Sequence, residues 1–152
     1  MRLLALTAAL AGSGCSYMRH PTSTTAWGQP QNALVLGLEA RGEVVNAFLQ
    51  NRGARPQRII ARGITLELRR AGDDAGAAPA KVVRDATGPT RLDREETFET
   101  LAPGDYLATP LPIEKLAPGT YQVTASYSAL TAVQGDWWNG TLAAGPITFV
   151  VQ

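Results

Sequence analysis

The sequence predicts an all-β protein folded as an antiparallel β-sandwich, and three observations carry that expectation. Apolar and polar residues alternate strictly in several short runs, the period of a strand with one buried face. The 15 glycines and 10 prolines fall largely between those runs, where turns are needed. No stretch carries an apolar stripe at helical spacing. Seven to nine short strands separated in this way suit two sheets that bury their apolar faces against each other.

The chain opens on one positive charge, Arg2, then an apolar run from Leu3 to Ala11, then Gly12-Ser13-Gly14 before Cys15, its only cysteine. A charged start, a short apolar run and small residues before a cut describe a secretory signal over residues 1–14. A membrane span would need about 20 apolar residues. The segment resembles a bacterial lipoprotein signal, with Cys15 as the lipidation site. The triplet Leu10-Ala11-Gly12 stands two residues earlier than that pattern usually places it. Cleavage that leaves a free thiol, and an uncleaved N-terminal anchor, are the alternative readings. Ser16 in place of Asp resembles the sorting signal for an outer membrane, which implies the periplasmic face of that membrane in a bacterial envelope.

Residues 15–26 are polar, follow neither apolar period, and are expected to form a flexible tether. The lone histidine, His20, lies in it. No second His, Cys or carboxylate stands nearby, so a solvated linker side chain is expected rather than a metal ligand. Cleavage before Cys15 leaves 13 basic and 13 acidic side chains, a neutral balance that excludes the usual nucleic-acid binder. One cysteine permits no intrachain disulfide, so residues 27–152 must fold on their core alone.

Within that body, Leu34, Leu36 and Leu38 face one way and Val35, Gly37 and Glu39 the other. Val44 to Leu49 is strand-like, although the adjacent Phe48 and Leu49 leave its inward face open. Ile64, Leu66 and Leu68 alternate with Thr65, Glu67 and Arg69. Tyr121, Val123, Ala125 and Tyr127 alternate with Thr120, Gln122, Thr124 and Ser126, the cleanest strand pattern. Ile147, Phe149 and Val151 close the chain, and shorter candidates lie at Lys81–Val83, Phe98–Leu101 and Leu111–Ile113. Residues 71–80 form a low-complexity loop. Asp93, Glu95 and Glu96 suggest a cation site, but Arg91 before them and Arg94 among them favour a solvated loop.

The hexapeptide Leu101-Ala-Pro-Gly-Asp-Tyr106 recurs as Leu116-Ala-Pro-Gly-Thr-Tyr121. In the second copy Pro118-Gly119 supplies a turn, and Tyr121 is placed to bond back to upstream backbone as a tyrosine corner. Three segments together resemble the Ig-like domains of exported bacterial proteins. They are Trp27-Gly-Gln-Pro-Gln-Asn-Ala-Leu34, Val45-Asn-Ala-Phe-Leu-Gln-Asn51, and Leu116–Val123 with Trp138-Asn-Gly-Thr-Leu142 and the final Ile147–Val151 run. Ala33 stands where that pattern often has Gly, and the loop at 71–80 is an insertion. The resemblance implies an immunoglobulin-like sandwich with a binding or structural role, without fixing a ligand.

Adjacent Trp137 and Trp138 must point to opposite faces of an extended segment. The resemblance sends Trp138 inward and leaves Trp137 exposed beside Asp136 and Asn139 as an interaction surface. Asn139-Gly-Thr141 matches a glycosylation sequon, which is discounted because the resemblance to a lipoprotein signal implies a bacterial source. Arg52, Arg55, Arg58, Arg62, Arg69 and Arg70 could face anionic lipid, but a solvated charged face is expected. No nucleophile with a base, phosphate-cradling loop or metal-ligand cluster occurs, so no enzyme and no cofactor are expected. The expected partners are a membrane, through the lipid, and another envelope protein. A proteinase inhibitor presenting residues 71–80 or the Gly135–Asp136 loop is the alternative.

Overall fold

The computed structural model describes residues 20–61, 63–85, 98–129 and 136–152. Cys15, Arg62, Asp93, Glu95, Glu96 and Gly135 lie outside the described residues. So do residues 1–14 and the first part of the expected tether.

Every regular element among the described residues is a strand. In chain order they are β1 (Ala26–Trp27), β2 (Leu34–Arg41), β3 (Val44–Asn51), β4 (Gln57–Ile60) and β5 (Ile64–Arg70). They continue as β6 (Lys81–Arg84), β7 (Phe98–Leu101), β8 (Tyr106–Pro112), β9 (Gly119–Ser128) and β10 (Thr141–Val151). Ten segments, one of only two residues, stand where seven to nine were expected. All pairings are antiparallel. One sheet runs β1-β2-β3-β8, a second runs β10-β9-β5-β6, and β4 pairs with β7 in a two-stranded ribbon.

Alternation decides which side chains enter the core. Leu34, Leu36 and Leu38 of β2, with Val45, Ala47 and Leu49 of β3, form one wall of a single buried cluster. Leu66 and Leu68 of β5, with Tyr121, Val123, Ala125 and Tyr127 of β9, form the other. Ile59, Ile60 and Leu101 extend that cluster from the β4–β7 ribbon. Register settles the ambiguity in β3: Leu49 pairs with inward Leu36, so Phe48, paired with Gly37, turns outward.

The expectation that β2 is half-buried needs correction, because Val35 and Glu39 on its outer side are buried as well. Two features pack on this outer side. The Trp27 ring lies over Gly37, where an added Cβ would come within 2.5 Å of it. The last residues of the expected tether also pack here: Thr25 Oγ1 donates to Glu39 Oε2 at 2.9 Å and the Thr22 amide donates to the same oxygen at 3.3 Å. Arg41 reaches the His20 carbonyl at 3.1 Å, and the His20 ring bonds the Tyr106 hydroxyl.

Sheet edges are blunted in ways that discourage pairing with another chain. Edge strand β8 carries Pro110 and Pro112. Edge strand β6 is four residues long and has Lys81 and Arg84 at its two ends. On β10 the register shifts between Ala144 and Ile147, and the Gly28 backbone presses so closely that a Cβ there would sit 1.8 Å from the Ala143 carbonyl oxygen.

Candidate functional site

Trp137 and Trp138 lie in an irregular segment before β10, with a bend at Trp137, and they meet different partners. Trp138 is 5% exposed, its ring centroid is 5.7 Å from that of Tyr127, and its backbone amide donates to the Arg58 carbonyl at 2.7 Å. Its indole Nε1 donates towards the Gln31 and Asn32 carbonyls at 3.2 and 3.1 Å, so the one polar atom of the ring is satisfied. Tyr127 in turn donates its hydroxyl to the Ile60 carbonyl at 2.8 Å, linking β9 to β4. Burial pushes the pKa of that hydroxyl well above its ordinary value, so it stays a donor.

Trp137 is half-buried rather than freely exposed. Its ring meets Phe98 of β7 with centroids 5.2 Å apart and planes tilted by 33°. The Arg58 guanidinium of β4 lies 4.6 Å from the centre of the same Phe98 ring. Asp136 and Asn139 flank this cluster and are exposed. The β4–β7 pairing brings Arg58 and Phe98 to one face, because Ile60 pairs with Phe98 and Arg58 with Thr100. Neither residue stood out in the sequence as part of this surface.

Among the described arginines, Arg52, Arg69 and Arg70 each meet different partners. Arg52 stacks 4.6 Å from the centre of the Trp27 ring and donates to Gln50 Oε1 at 3.1 Å. Arg69 bridges Glu67 at 3.1 Å and bonds the Ala77 carbonyl, pinning the loop at 71–80. Arg70 donates to the Pro118 carbonyl at 3.1 Å beside the β9 turn. At that turn Tyr121 Oη donates to the Ala117 carbonyl at 2.7 Å, four residues upstream.

Beside β10 a groove of about 830 Å³ runs between residues 27–31 and the outer face of the second sheet. Its polar lining includes Gln29, Gln31, Thr65, Glu67, Thr124 and Ser126. No imidazole stands beside these hydroxyls to act as a base. Among the described residues no group of three His, Cys, Asp or Glu side chains could hold a metal ion, and no helix is long and apolar enough to cross a membrane. No family model matches the chain, and neither a curated protein nor a solved structure is similar to it.

Proposed function

We propose that this chain is a lipid-anchored extracytoplasmic module with an immunoglobulin-like sandwich, which docks another protein of the cell envelope. The single observation that carries the docking is the contact of Trp137 and Arg58 with Phe98. Trp and Arg are the side chains most enriched where truncation weakens an interface. Phe98 holds both with part of each surface open, which lowers the ordering cost of binding. The sandwich type is supported by two four-stranded antiparallel sheets and by the Tyr121–Ala117 bond at the head of β9. Lipidation at Cys15, and with it a place on the periplasmic face of an outer membrane, is supported by the opening segment of the sequence.

Quantitative affinity capture from crosslinked envelopes tests the docking. One reproducible partner is expected with the native chain, reduced at least tenfold with Trp137→Ala, in keeping with the loss of a binding hot spot. Equal capture by both chains, or no reproducible partner, contradicts it.

A second reading, an inhibitor of extracellular proteases, is favoured by the loop at residues 71–80. It is largely exposed yet held by Arg69 on the Ala77 carbonyl, with Ala77 N donating to the Asp74 carbonyl at 2.9 Å. Preorganised loops suit that role. Full activity of a protease panel at excess protein removes it.

A further inference from the structure

The loop between β5 and β6 divides at Ala77 into a folded part and an open run. Asp73 N donates to the Arg70 carbonyl at 3.1 Å and Ala77 N to the Asp74 carbonyl at 2.9 Å, so the first part turns back on itself. From Ala78 the chain carries no hydrogen-bonded turn, and after a bend at Ala80 it enters β6 at Lys81. Pro79 fixes its own φ and keeps Ala78 out of the helical region, so this run is restricted to extended backbone before anything binds it. Both of its ends are tied. Arg69 Nη1 donates to the Ala77 carbonyl, and Lys81 Nζ donates to the Glu114 carbonyl. Lys81 also pairs with Leu68 in the β5–β6 ladder. Between and beyond these ties Ala78 and Ala80 are exposed, and Val82 is one of two exposed large apolar side chains among the described residues.

We propose that residues 78–82 occupy the cleft of a serine endoprotease with a small primary pocket, Ala80 filling that pocket and Val82 lying beyond it. This rests on the inhibitor reading of the same loop and names the class of enzyme it takes. An extended segment is held in such a cleft by backbone pairing of the kind that adds a strand to a sheet edge. Among the described residues no strand pairs with the outer edge of β6, so the backbone from Lys81 onward is open on that side.

The side chains set the pocket. Ala77, Ala78 and Ala80 each offer a single methyl group. A pocket built for an aromatic ring stays largely empty around a methyl group, and one built for Arg or Lys keeps a buried carboxylate without its partner, so both bind this run poorly. The position of the pocket residue follows from the backbone. The Ala77 carbonyl is already held by Arg69, and the Ala78 carbonyl is joined to the crowded proline nitrogen, which leaves Ala80–Lys81 as the bond presented. The ties at Ala77 and Lys81 keep the run in place in the cleft, which lowers the ordering cost of binding.

Inhibition constants of the full-length chain against pancreatic elastase, trypsin and chymotrypsin test this, with Ala80→Arg and Arg69→Gln as variants. The native chain should inhibit elastase alone, the enzyme of the three with the small pocket. Ala80→Arg, at an exposed position, should weaken elastase inhibition about tenfold or more and bring inhibition of trypsin. Arg69→Gln should weaken elastase inhibition about tenfold while Ala80 remains, because one tie is lost. Inhibition by the native chain of trypsin or chymotrypsin without elastase, or of all three equally, keeps the inhibitor reading and overturns the small-pocket assignment. Elastase inhibition that Ala80→Arg leaves unchanged overturns the placement of Ala80. Rapid cutting of the chain by elastase without lasting inhibition marks a substrate and overturns the inference, and inhibition of none of the three overturns it together with the inhibitor reading.

Discussion

The side-chain amide of Asn51 donates to the Leu101 carbonyl at 2.9 Å, tying the end of β3 to the end of β7. The same nitrogen donates to the Arg55 carbonyl at 2.8 Å, and Asn51 Oδ1 accepts the Gly53 amide at 2.9 Å. A completely buried amide is thus satisfied three times over while it shapes the 51–55 turn. Asn51→Ala removes every one of these bonds, one of them to the carbonyl of buried Leu101 and two to partly buried groups. A loss of about 2–4 kcal/mol is expected from such orphaned groups, read as a lower urea midpoint. Asn51→Asp should rescue only the Gly53 bond and remain well below the native protein.

Ala33 has φ of +74°, a left-handed conformation that a Cβ disfavours. It stands where the resembled Ig-like pattern often carries Gly. Ala33→Gly is expected to stabilise the fold by about 0.5–1 kcal/mol, since the relief of about 1–2 kcal/mol of strain is partly offset by greater freedom of the unfolded chain. Thermal unfolding checks this, and a lower midpoint would show that the packing of the Ala33 methyl group outweighs the backbone strain.

Gly37 leaves room for the Trp27 ring, and its added Cβ would also stand 2.9 Å from Thr25 Cγ2. Gly37→Ala should displace Trp27 and loosen its stacking with Arg52 and Phe48. A cost of about 1–3 kcal/mol is the usual scale for inserting a methyl group into a packed site. Tryptophan fluorescence should shift to longer wavelength, and no shift would mean that the ring is not confined there.

Glu39 sets a pH dependence with a definite sign. Its folded pKa lies below the ordinary value of 4.5, so its stabilisation is complete above that value. It is lost as the pH falls through the folded pKa. The urea midpoint of the native chain should exceed that of Glu39→Gln at pH 7, and the gap should narrow as the pH falls below 4.5 and through the lowered folded pKa. A gap that persists or widens in acid contradicts the assignment.

Strand faces were legible wherever one side of the strand meets water. In β9 every second residue from Tyr121 to Tyr127 is buried, as the alternation predicts. In β2 the same period left its outer side unassigned to any cover, because alternation cannot show that a tryptophan and a threonine-rich segment will lie over Gly37 and Glu39. The order Phe48-Leu49 was unreadable for a related reason, since both are buried and only the pairing with Gly37 and Leu36 separates them. Strand β4 escaped detection because adjacent Ile59 and Ile60 are both buried, which breaks the period. The Arg58–Phe98 contact depends on that missed strand. Its two residues lie far apart in sequence, and neither the charge nor the ring predicts the other.

The account depends most on where the mature chain begins, because the choice of partner follows from it. Intact-mass analysis of the protein from fractionated bacterial cells measures this directly. A membrane-bound form beginning at Cys15 and carrying the mass of attached acyl chains is predicted. A soluble cytosolic form that still begins at Met1 would contradict it.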